Sequence, residues 1–384
     1  MRTAAALVLA LTLPLAGTAC AAGTEPADAP TSSAVPGPAA RLPTPTGSFG
    51  VGRNLLHLVD NARPDPWLPA QPRELMVSMY YPAHHDSGPR TPYATEAEIG
   101  LMLDGTGLTG VPAQALSRAG TNSTVDADPV EGTYPLVVLS PGFTAPRYTL
   151  TSLAEEVASR GYVVAAVDHA GESFGTEFPG GRMSTCLACE KATTPAGFAL
   201  VAETRAHDIS FLLDRLTGKE PSWPHAGLID ATRIGMAGHS IGGASAVAAM
   251  ALDPRIHAGV NMDGSFQGTV PATGLGDRPF LLLGADDQSS PGGSEPSWDE
   301  AWSRLHGWKR WLTLAGADHE SFIDTGALAE QLGLPGETPL RNSRALDLTR
   351  TYVAAFFDQH LRGTDSTLLN NPDPTYPEVR FHNP

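Results

Sequence analysis

The chain has 384 residues, of which 41% are hydrophobic and 17% charged, and its formal net charge is −16. This composition is typical of a globular protein, and the length suits a single α/β core of about 300 residues. The acidic balance and the lack of any basic run in the sequence argue against nucleic acid and anionic membrane surfaces as partners, because both require clustered Lys or Arg.

The first twenty residues, MRTAAALVLALTLPLAGTAC, have the features of an export signal. A basic second residue precedes an apolar stretch at 4–15 that is too short to span a membrane, and small residues precede Cys20. Gly17 stands where bacterial lipoprotein signals usually carry Leu, so lipidation of Cys20 and simple cleavage with release both stay open. Both predict a protein that acts outside the cytoplasm, either secreted or tethered to the outer face of the membrane.

Residues 21–46 are rich in Ala, Pro, Thr, Ser and Gly and predict a disordered tether, because they cannot bury enough apolar surface to fold. The remainder, 47–384, is predicted to form one domain. Its first elements are predicted strands at 51–60 and 73–83, in which apolar residues either alternate with polar ones or follow one another without a break. Because turn residues separate the two strands, they predict an antiparallel edge to a sheet.

From Pro135 the pattern changes to alternating short apolar strands and amphipathic helices. This rhythm predicts a mostly parallel, doubly wound α/β sheet with helices on both faces and the antiparallel edge at its N-terminal side. The predicted strands lie at 135–140, 162–169, 233–238, 257–263, 279–285 and 308–316, and the predicted helices at 148–161, 203–218, 242–252 and 346–363.

Two stretches, 90–132 and 175–197, interrupt this alternation near the carboxyl ends of strands, where such sheets bind ligands. Whether they cover a site as a lid or simply pack on the surface stays open. The second contains Cys186 and Cys189, which we expect to form a local disulfide in an oxidising compartment rather than a redox or metal site.

The hexapeptide GHSIGG at 238–243 lies between a predicted strand and a predicted helix. The pattern G-x-S-x-G in this context is the sharp turn that exposes a nucleophilic serine, and glycines flank the serine because a side chain there would collide with the neighbouring elements. We therefore predict that Ser240 is a nucleophile. The amide of Ile241, at the start of the helix, is a predicted oxyanion donor.

A serine nucleophile requires a histidine base that an acid orients. Among the histidines after Ser240, His319 alone follows a predicted strand in a loop at the carboxyl edge of the sheet, so we predict that it is the base. The acid is less determined, because Asp263, Asp286 and Asp287 all lie at carboxyl ends of strands between Ser240 and His319 in the chain.

The segments PLVVLSPGFTAPRYTLTSLAEEVASRGYVVAAVDH, GHSIGG and GADHESF resemble the α/β-hydrolases that include form II platelet-activating-factor acetylhydrolases and, more distantly, actinobacterial cutinases and polyester hydrolases. The resemblance covers nearly all of residues 47–384. It implies an α/β-hydrolase fold and a serine esterase or lipase that acts on small-molecule or lipid esters.

The resemblance also assigns roles that the residues alone leave open. In cutinases the catalytic acid falls at the position of Gln288, which cannot carry the required charge, whereas the acetylhydrolases place it at the position of Asp263. The cutinase-like sequence SPGFT implies that the Phe143 amide is the second oxyanion donor. Phe143 and Phe266 are also candidates to flank a bound acyl group, with packing beneath the two excursions as the alternative.

The predicted mechanism is acyl transfer in two steps, needs no cofactor or metal, and is expected in a monomer. Three alternatives remain: a cutinase-like polyester hydrolase, a non-catalytic exported binding protein, and a metallohydrolase. The metallohydrolase would use His84, His85 and Asp86 or Asp168 and His169, but neither group has the spacing of metal ligands on a helix. Asp168 more readily fits a structural role.

Overall fold

The structure is a computed structural model that describes residues 40–85, 88–268, 270–334 and 338–382, without the side chain of Asp287. The predicted export signal, Cys20 and most of the predicted tether lie outside these residues. The strands of the described part are β1 (Gly50–Pro64), β2 (Pro72–Ala83), β3 (Ser123–Val125), β4 (Tyr134–Ser140), β5 (Val163–His169), β6 (Thr176–Phe178), β7 (Arg182–Ser184), β8 (Ile229–His239), β9 (Ile256–Met262), β10 (Gly274–Asp277), β11 (Phe280–Ala285), β12 (Lys309–Leu314) and β13 (Val379–His382).

The strands form one large sheet in the order β13-β12-β11-β9-β8-β4-β5-β2-β1-β3, beside a small hairpin of β6 and β7. From β12 to β5 the neighbours pair in parallel, whereas β2 is antiparallel to both β1 and β5. The central strands β4, β5, β9 and β11 are mostly apolar and almost entirely buried, because both of their faces are covered. This arrangement confirms the predicted α/β class with an antiparallel N-terminal edge.

Helices cover both faces of the sheet. The helices are α1 (Glu96–Thr106), α2 (Ala113–Ser117), α3 (Thr151–Ser159), α4 (Pro195–Thr217), α5 (Ile241–Leu252), α6 (Asp286–Ser289), α7 (Ser297–Arg304), α8 (Asp324–Gln331) and α9 (Asn342–Arg362). One apolar core contains residues of α3 and α9, and a second contains residues of α4, α5 and α7. Each core takes alternate residues of the central strands, because successive side chains of a strand point to opposite faces.

Several elements depart from the sequence-based expectation, among them α4 and β13. Helix α4 begins at Pro195, inside the excursion predicted at 175–197, because Thr194 accepts a hydrogen bond from the Gly197 amide and caps it. Strand β13 adds an antiparallel edge beyond β12. Its four residues are too short to give a periodic signal, and its place depends on contacts with β12 that are distant in the chain.

The described chain begins before the predicted domain boundary at residue 47. Ala40 and Leu42 are buried, and the Thr46 amide donates a hydrogen bond to Glu156. The predicted tether therefore overlaps the packed domain at 40–46, since two apolar side chains and a few backbone bonds suffice to fix so short a segment.

Within the described residues, none of the helices has the length and apolar character that a membrane span requires.

Candidate active site

Ser240 lies on a sharp turn between β8 and α5. Its φ of 55° and ψ of −128° belong to a backbone region that residues other than Gly rarely adopt. The neighbouring glycines allow the turn, because a Cβ added to Gly238 would lie 2.1 Å from the backbone of Gly242, and one added to Gly242 would lie 2.1 Å from the Ser140 carbonyl oxygen. The Ser240 amide donates to the Met262 carbonyl on β9, which ties the turn to the sheet.

His319 begins the short helical turn that follows β12, and its ring contacts Asp263 at the end of β9. The Nδ1–H of His319 donates to Oδ2 of Asp263 at 2.7 Å. Burial of the ring lowers the pKa of His319, but the hydrogen bond and charge of Asp263 outweigh it and raise the pKa above its ordinary value. The other carboxylate oxygen of Asp263 accepts from the Ala285 amide and from Ser289 Oγ, both at 2.8 Å.

Asp286 lies at the end of β11, but its carboxylate has different partners. It accepts from Thr313 Oγ1 at 2.7 Å and forms an ion pair with Arg380 of β13. Burial raises the pKa of Asp286, but the Thr313 hydrogen bond and the Arg380 charge outweigh it, so the pKa is lowered. The side chain of Asp287 lies outside the described residues, whereas Gln288 borders a cleft beside Ser240.

The segment from Ser140 to Phe143, at the carboxyl end of β4, lies against the turn of Ser240. A Cβ added to Gly142 would lie 3.4 Å from the Ser240 Cβ and 3.1 Å from Nδ1 of His239. Phe143 and Ile241 both border the cleft next to Ser240, and the Phe143 ring packs edge-on against Phe198 at 5.5 Å. Two residues predicted to supply oxyanion amides are therefore next to the predicted nucleophile.

His239, between Gly238 and Ser240, contacts the loop of the predicted base. Its Nε2–H donates to the backbone carbonyl of His319 at 2.8 Å, and the two rings are 4.7 Å apart. Burial and the neighbouring His319 charge lower the pKa of His239 well below its ordinary value. Sequence analysis gave this residue no role, because the variable position of G-x-S-x-G carries no chemical requirement.

Two clefts of different character meet at Ser240, His319 and Phe143. The first, which we call the apolar cleft, has a volume of about 500 Å³ and is lined mainly by apolar side chains, including Met102, Pro146, Phe174, Ile323 and Ala329. The second, the polar cleft, has a volume of about 240 Å³ and is bordered by Ser265, Gln267, Gln288, Ser289 and Glu295. The site therefore offers separate surfaces to the two sides of a molecule bound at Ser240.

The remaining predicted site residues lie elsewhere. Phe266, a candidate to flank a bound acyl group, is 2% exposed and packs in the core against Phe280 and Trp298. The turn after Asp263 directs this ring inward, so its position supports packing and not substrate contact. Cys186 and Cys189 are joined in a disulfide within the excursion at 175–197.

Two of the residues considered for a metal site, Asp168 and His169, have other partners. The His169 ring bonds to Asp208 at 2.7 Å and to Ser140 Oγ at 3.1 Å, and Asp168 forms an ion pair with Arg147. Within the part of the chain that the structure describes, no three or more His, Cys, Asp or Glu side chains are arranged so that they could hold a metal ion. Asp86 lies outside the described residues.

A buried network of charges lies beneath the Ser140–Phe143 segment and was missed by sequence analysis. It includes Arg205 and Asp208 of α4, which are 1% and 0% exposed. A signal for it exists in the sequence, because positions 205 and 208 fall on the same stripe of α4 as the buried Val201 and Leu212. Charged residues on the apolar face of a helix require buried partners.

Comparison with known proteins gives a consistent result. The family described as platelet-activating factor acetylhydrolase, isoform II, matches residues 39–178. A probable 1-alkyl-2-acetylglycerophosphocholine esterase of Arthroderma benhamiae is 31% identical over 88% of this chain and 93% of its own. A bis(hydroxyethyl) terephthalate hydrolase of Streptomyces coelicolor is 29% identical over 41% of this chain and 40% of its own.

A solved structure is also similar. The ferulic acid esterase from Streptomyces cinnamoneus is 42% identical, with a TM-score of 0.80, and the match covers 90% of this chain and all of that one. This similarity and the sheet described above support the predicted α/β-hydrolase fold.

Proposed function

The chain belongs to the isoform II platelet-activating factor acetylhydrolase family and is a carboxylic ester hydrolase, and we propose that it acts by acyl transfer through Ser240, His319 and Asp263. The observation that carries this proposal is the 2.7 Å hydrogen bond between His319 and Asp263 beside a serine held on a strained strand-to-helix turn.

In the proposed reaction, His319 accepts the Ser240 proton as Oγ attacks the ester carbonyl, and Asp263 stabilises the imidazolium. His319 then gives the proton to the departing alcohol, which leaves an acyl-enzyme. Water attacks this intermediate with His319 again as the base, and Ser240 is restored. The amides of Ile241 and Phe143 are proposed to hold the negatively charged oxygen in both steps.

The choice of Asp263 as the acid is supported by its partners. Because Ala285 and Ser289 bind Oδ1, the oxygen that faces His319 is left in a fixed position. Asp286 is already paired with Arg380 on another strand. A fixed carboxylate holds the imidazole in the tautomer whose Nε2 is free to accept a proton.

Replacement of Ser240 or His319 by Ala tests the proposal directly. We expect each change to lower kcat on p-nitrophenyl acetate by several orders of magnitude, since the nucleophile or its base is lost. A fluorophosphonate should label the wild-type protein and not Ser240→Ala. Hydrolysis by Ser240→Ala at the wild-type rate would refute the assignment, and a wild-type protein that resists labelling would favour the binding-protein alternative.

The two clefts support a substrate with one apolar and one polar side. We propose that the apolar cleft takes the apolar side of the ester and that the polar cleft takes a hydroxylated or charged group. The names of two relatives refer to esters of an acetylated glycerophosphocholine and of ferulic acid. Both kinds of substrate have an apolar side and a polar side. A polyester hydrolase remains the second candidate, because the Streptomyces coelicolor relative acts on a terephthalate ester.

A series of esters with growing apolar chains tests this assignment when it is measured on wild type and on Ala329→Trp. The indole would occupy part of the apolar cleft, so we expect kcat/KM to fall about tenfold or more for long chains and little for acetate. Ala196→Trp, at an exposed position of α4, is the matched control. Equal losses for all chain lengths would contradict the assignment, and activity confined to a polyester film would favour the second candidate.

We also propose that the protein works outside the cytoplasm, either anchored by a lipid on Cys20 or released after cleavage of the signal. The export-like sequence at 1–20 and the disulfide of Cys186 and Cys189 support this location. Fractionation of cells that express the full chain, with Cys20→Ala as a comparison, tests it. Recovery of the unprocessed chain in the cytoplasm would contradict export.

A further inference from the structure

We propose that Arg205 is a positioning residue that aims the Phe143 amide into the active site by holding the carbonyl groups of the preceding two residues. This inference rests on the proposed function, in which that amide is an oxyanion donor. Arg205 contacts no substrate in this scheme and acts only through the backbone of the loop after β4.

The contacts of Arg205 converge on that loop. Its Nη1 donates to the Pro141 carbonyl at 2.5 Å and to Ser140 Oγ at 3.3 Å, and its Nη2 donates to the Gly142 carbonyl at 3.4 Å. Arg205 is 1% exposed. One buried guanidinium therefore bonds to three consecutive residues of the loop, and its rigid planar fork suits this task better than a single ammonium does.

The direction of the Phe143 amide follows from the geometry of the peptide bond. The Gly142 carbonyl and the Phe143 N–H belong to one planar trans peptide unit, in which the C=O and N–H point in opposite directions. Since the carbonyl faces Arg205 on α4, the N–H is turned away from α4. A carbonyl that accepts a bond from a cation also polarises its peptide unit and strengthens the N–H as a donor.

Arg205 is itself held in place by Glu172. Its Nε donates to Oε2 of Glu172 at 2.7 Å, and Oε1 of the same carboxylate accepts from Trp67 Nε1 at 2.9 Å and from Arg73 Nη2 at 2.8 Å. The backbone carbonyl of Glu172 also accepts from the Thr144 amide. The loop is therefore fixed on both sides of Phe143 by one buried cluster.

Ser140 completes the arrangement. Nδ1–H of His169 donates to the Asp208 carboxylate, so the unprotonated Nε2 accepts from the Ser140 hydroxyl at 3.1 Å. The hydroxyl oxygen is then oriented to accept from Arg205. The chain of hydrogen bonds from Asp208 through His169 and Ser140 to Arg205 therefore fixes the orientation of the guanidinium against the loop.

Arg205→Lys tests the inference, because lysine keeps the charge and loses the fork. Arg350→Lys is the matched control, since Arg350 is also buried, at 3% exposed, but its partners are Glu156, Asp347 and the Thr44 carbonyl, which lie outside the cluster that holds the loop. Both variants are expected to unfold at lower temperature than wild type. Only Arg205→Lys is expected to lower kcat, by about tenfold or more, with KM nearly unchanged.

The decisive readout is the ratio of kcat/KM for an ester to that for the matching thionoester, in which sulfur replaces the carbonyl oxygen. Sulfur accepts hydrogen bonds poorly, so the ratio reports how strongly the two amides bind the oxyanion. Because both substrates are measured on the same enzyme sample, the ratio does not depend on the fraction of enzyme that is folded. We expect the ratio to fall several-fold in Arg205→Lys and to stay at the wild-type value in Arg350→Lys. Glu172→Gln provides the same comparison if Arg205→Lys does not fold, because it weakens the hold on Arg205 while leaving the guanidinium present.

An unchanged ratio in Arg205→Lys and in Glu172→Gln would overturn the inference, and so would an equal fall in Arg350→Lys. These outcomes differ from failure of the proposed function, which is judged by Ser240→Ala and His319→Ala. If those two variants lose activity while the ratio in Arg205→Lys stays at the wild-type value, the role of Arg205 alone is refuted.

Discussion

Asp263 and Asp286 end neighbouring parallel strands, and both precede His319 in the chain, yet their surroundings differ. Asp263 has one oxygen bound by Ala285 and Ser289 and the other bound by His319. Asp286 faces Thr313 and Arg380 at the edge of the sheet. The contrast lies in partners from distant parts of the chain, which is why the sequence around each aspartate could not separate them.

Asp263→Asn provides a prediction with a definite sign in pH. The catalytic step requires neutral His319, so activity falls as the pH drops through the pKa of His319, which Asp263 raises. Removal of the carboxylate charge should therefore move the acid limb of the kcat/KM profile to lower pH. It should also reduce kcat on the order of 10³- to 10⁴-fold, because the imidazole loses its orienting partner.

Asp286→Asn is the matched control for this measurement. It removes a carboxylate of the same size at the end of the neighbouring strand and leaves the His319 contact intact, so we expect the wild-type acid limb and a kcat within about twofold of wild type. A large loss in Asp286→Asn with little effect of Asp263→Asn would reverse the assignment of the acid.

At the scale of elements, the sequence predicted the parts of the sheet whose signals are local. The apolar runs of β4, β5, β9 and β11 and the turn at Ser240 were recognised, because both faces of these strands are buried and glycines mark the turn. The edge strand β13 and the helices α7 and α8 were not predicted. They are short, and their places depend on distant partners such as the pairing of β13 with β12.

The same limit explains which site residues were missed. Ser240 and His319 follow strands that can be recognised one at a time, so their proximity follows from the order of the fold. Arg205 is ten residues inside a long helix, and its partners Glu172 and Pro141 belong to two different loops. No spacing in the chain links these three residues. The one usable signal in the sequence was that Arg205 and Asp208 fall on the apolar stripe of α4, where charged residues need partners.

Helix α1 of the first excursion and helix α8 form part of the wall of the active site. Met102 and Thr106 of α1 and Ala329 of α8 border the apolar cleft. Both helices also belong to one apolar cluster, through Ile99 and Leu103 of α1 and Leu328 of α8. The first excursion, at 90–132, thus contributes directly to the wall of the cleft, and the shape of the cleft depends on how firmly this cluster is packed.

Across the whole molecule, residues 40–46 join this cluster to the main domain. Leu42 is 1% exposed and packs in the same cluster as α1 and α8, and its amide donates to the Gly120 carbonyl at 2.8 Å. Thr46 bonds to Glu156 of α3, and the Thr44 carbonyl accepts from Arg350 of α9 at 2.9 Å. This short segment therefore touches several elements that are far apart in the chain.

A comparison of two shortened chains tests its contribution to stability and to substrate choice. A chain that begins at Gly47 loses the burial of Leu42 and several hydrogen bonds that a chain beginning at Ala40 keeps. We expect the shorter chain to lose about 2 to 4 kcal/mol in the free energy of unfolding, measured by denaturant titration. Since Met102 borders the apolar cleft from the loosened cluster, kcat/KM should fall more for long-chain esters than for acetate.

Leu42→Ala in the longer chain separates packing from the loss of backbone contacts. It should reproduce part of both effects, since the cavity it leaves lies in the cluster that supports α1. Equal stability of the two shortened chains would mean that residues 40–46 do not stabilise the domain and belong to the tether, as their composition suggested. Lower stability with an unchanged chain-length profile would mean that the segment stabilises the domain without shaping the cleft.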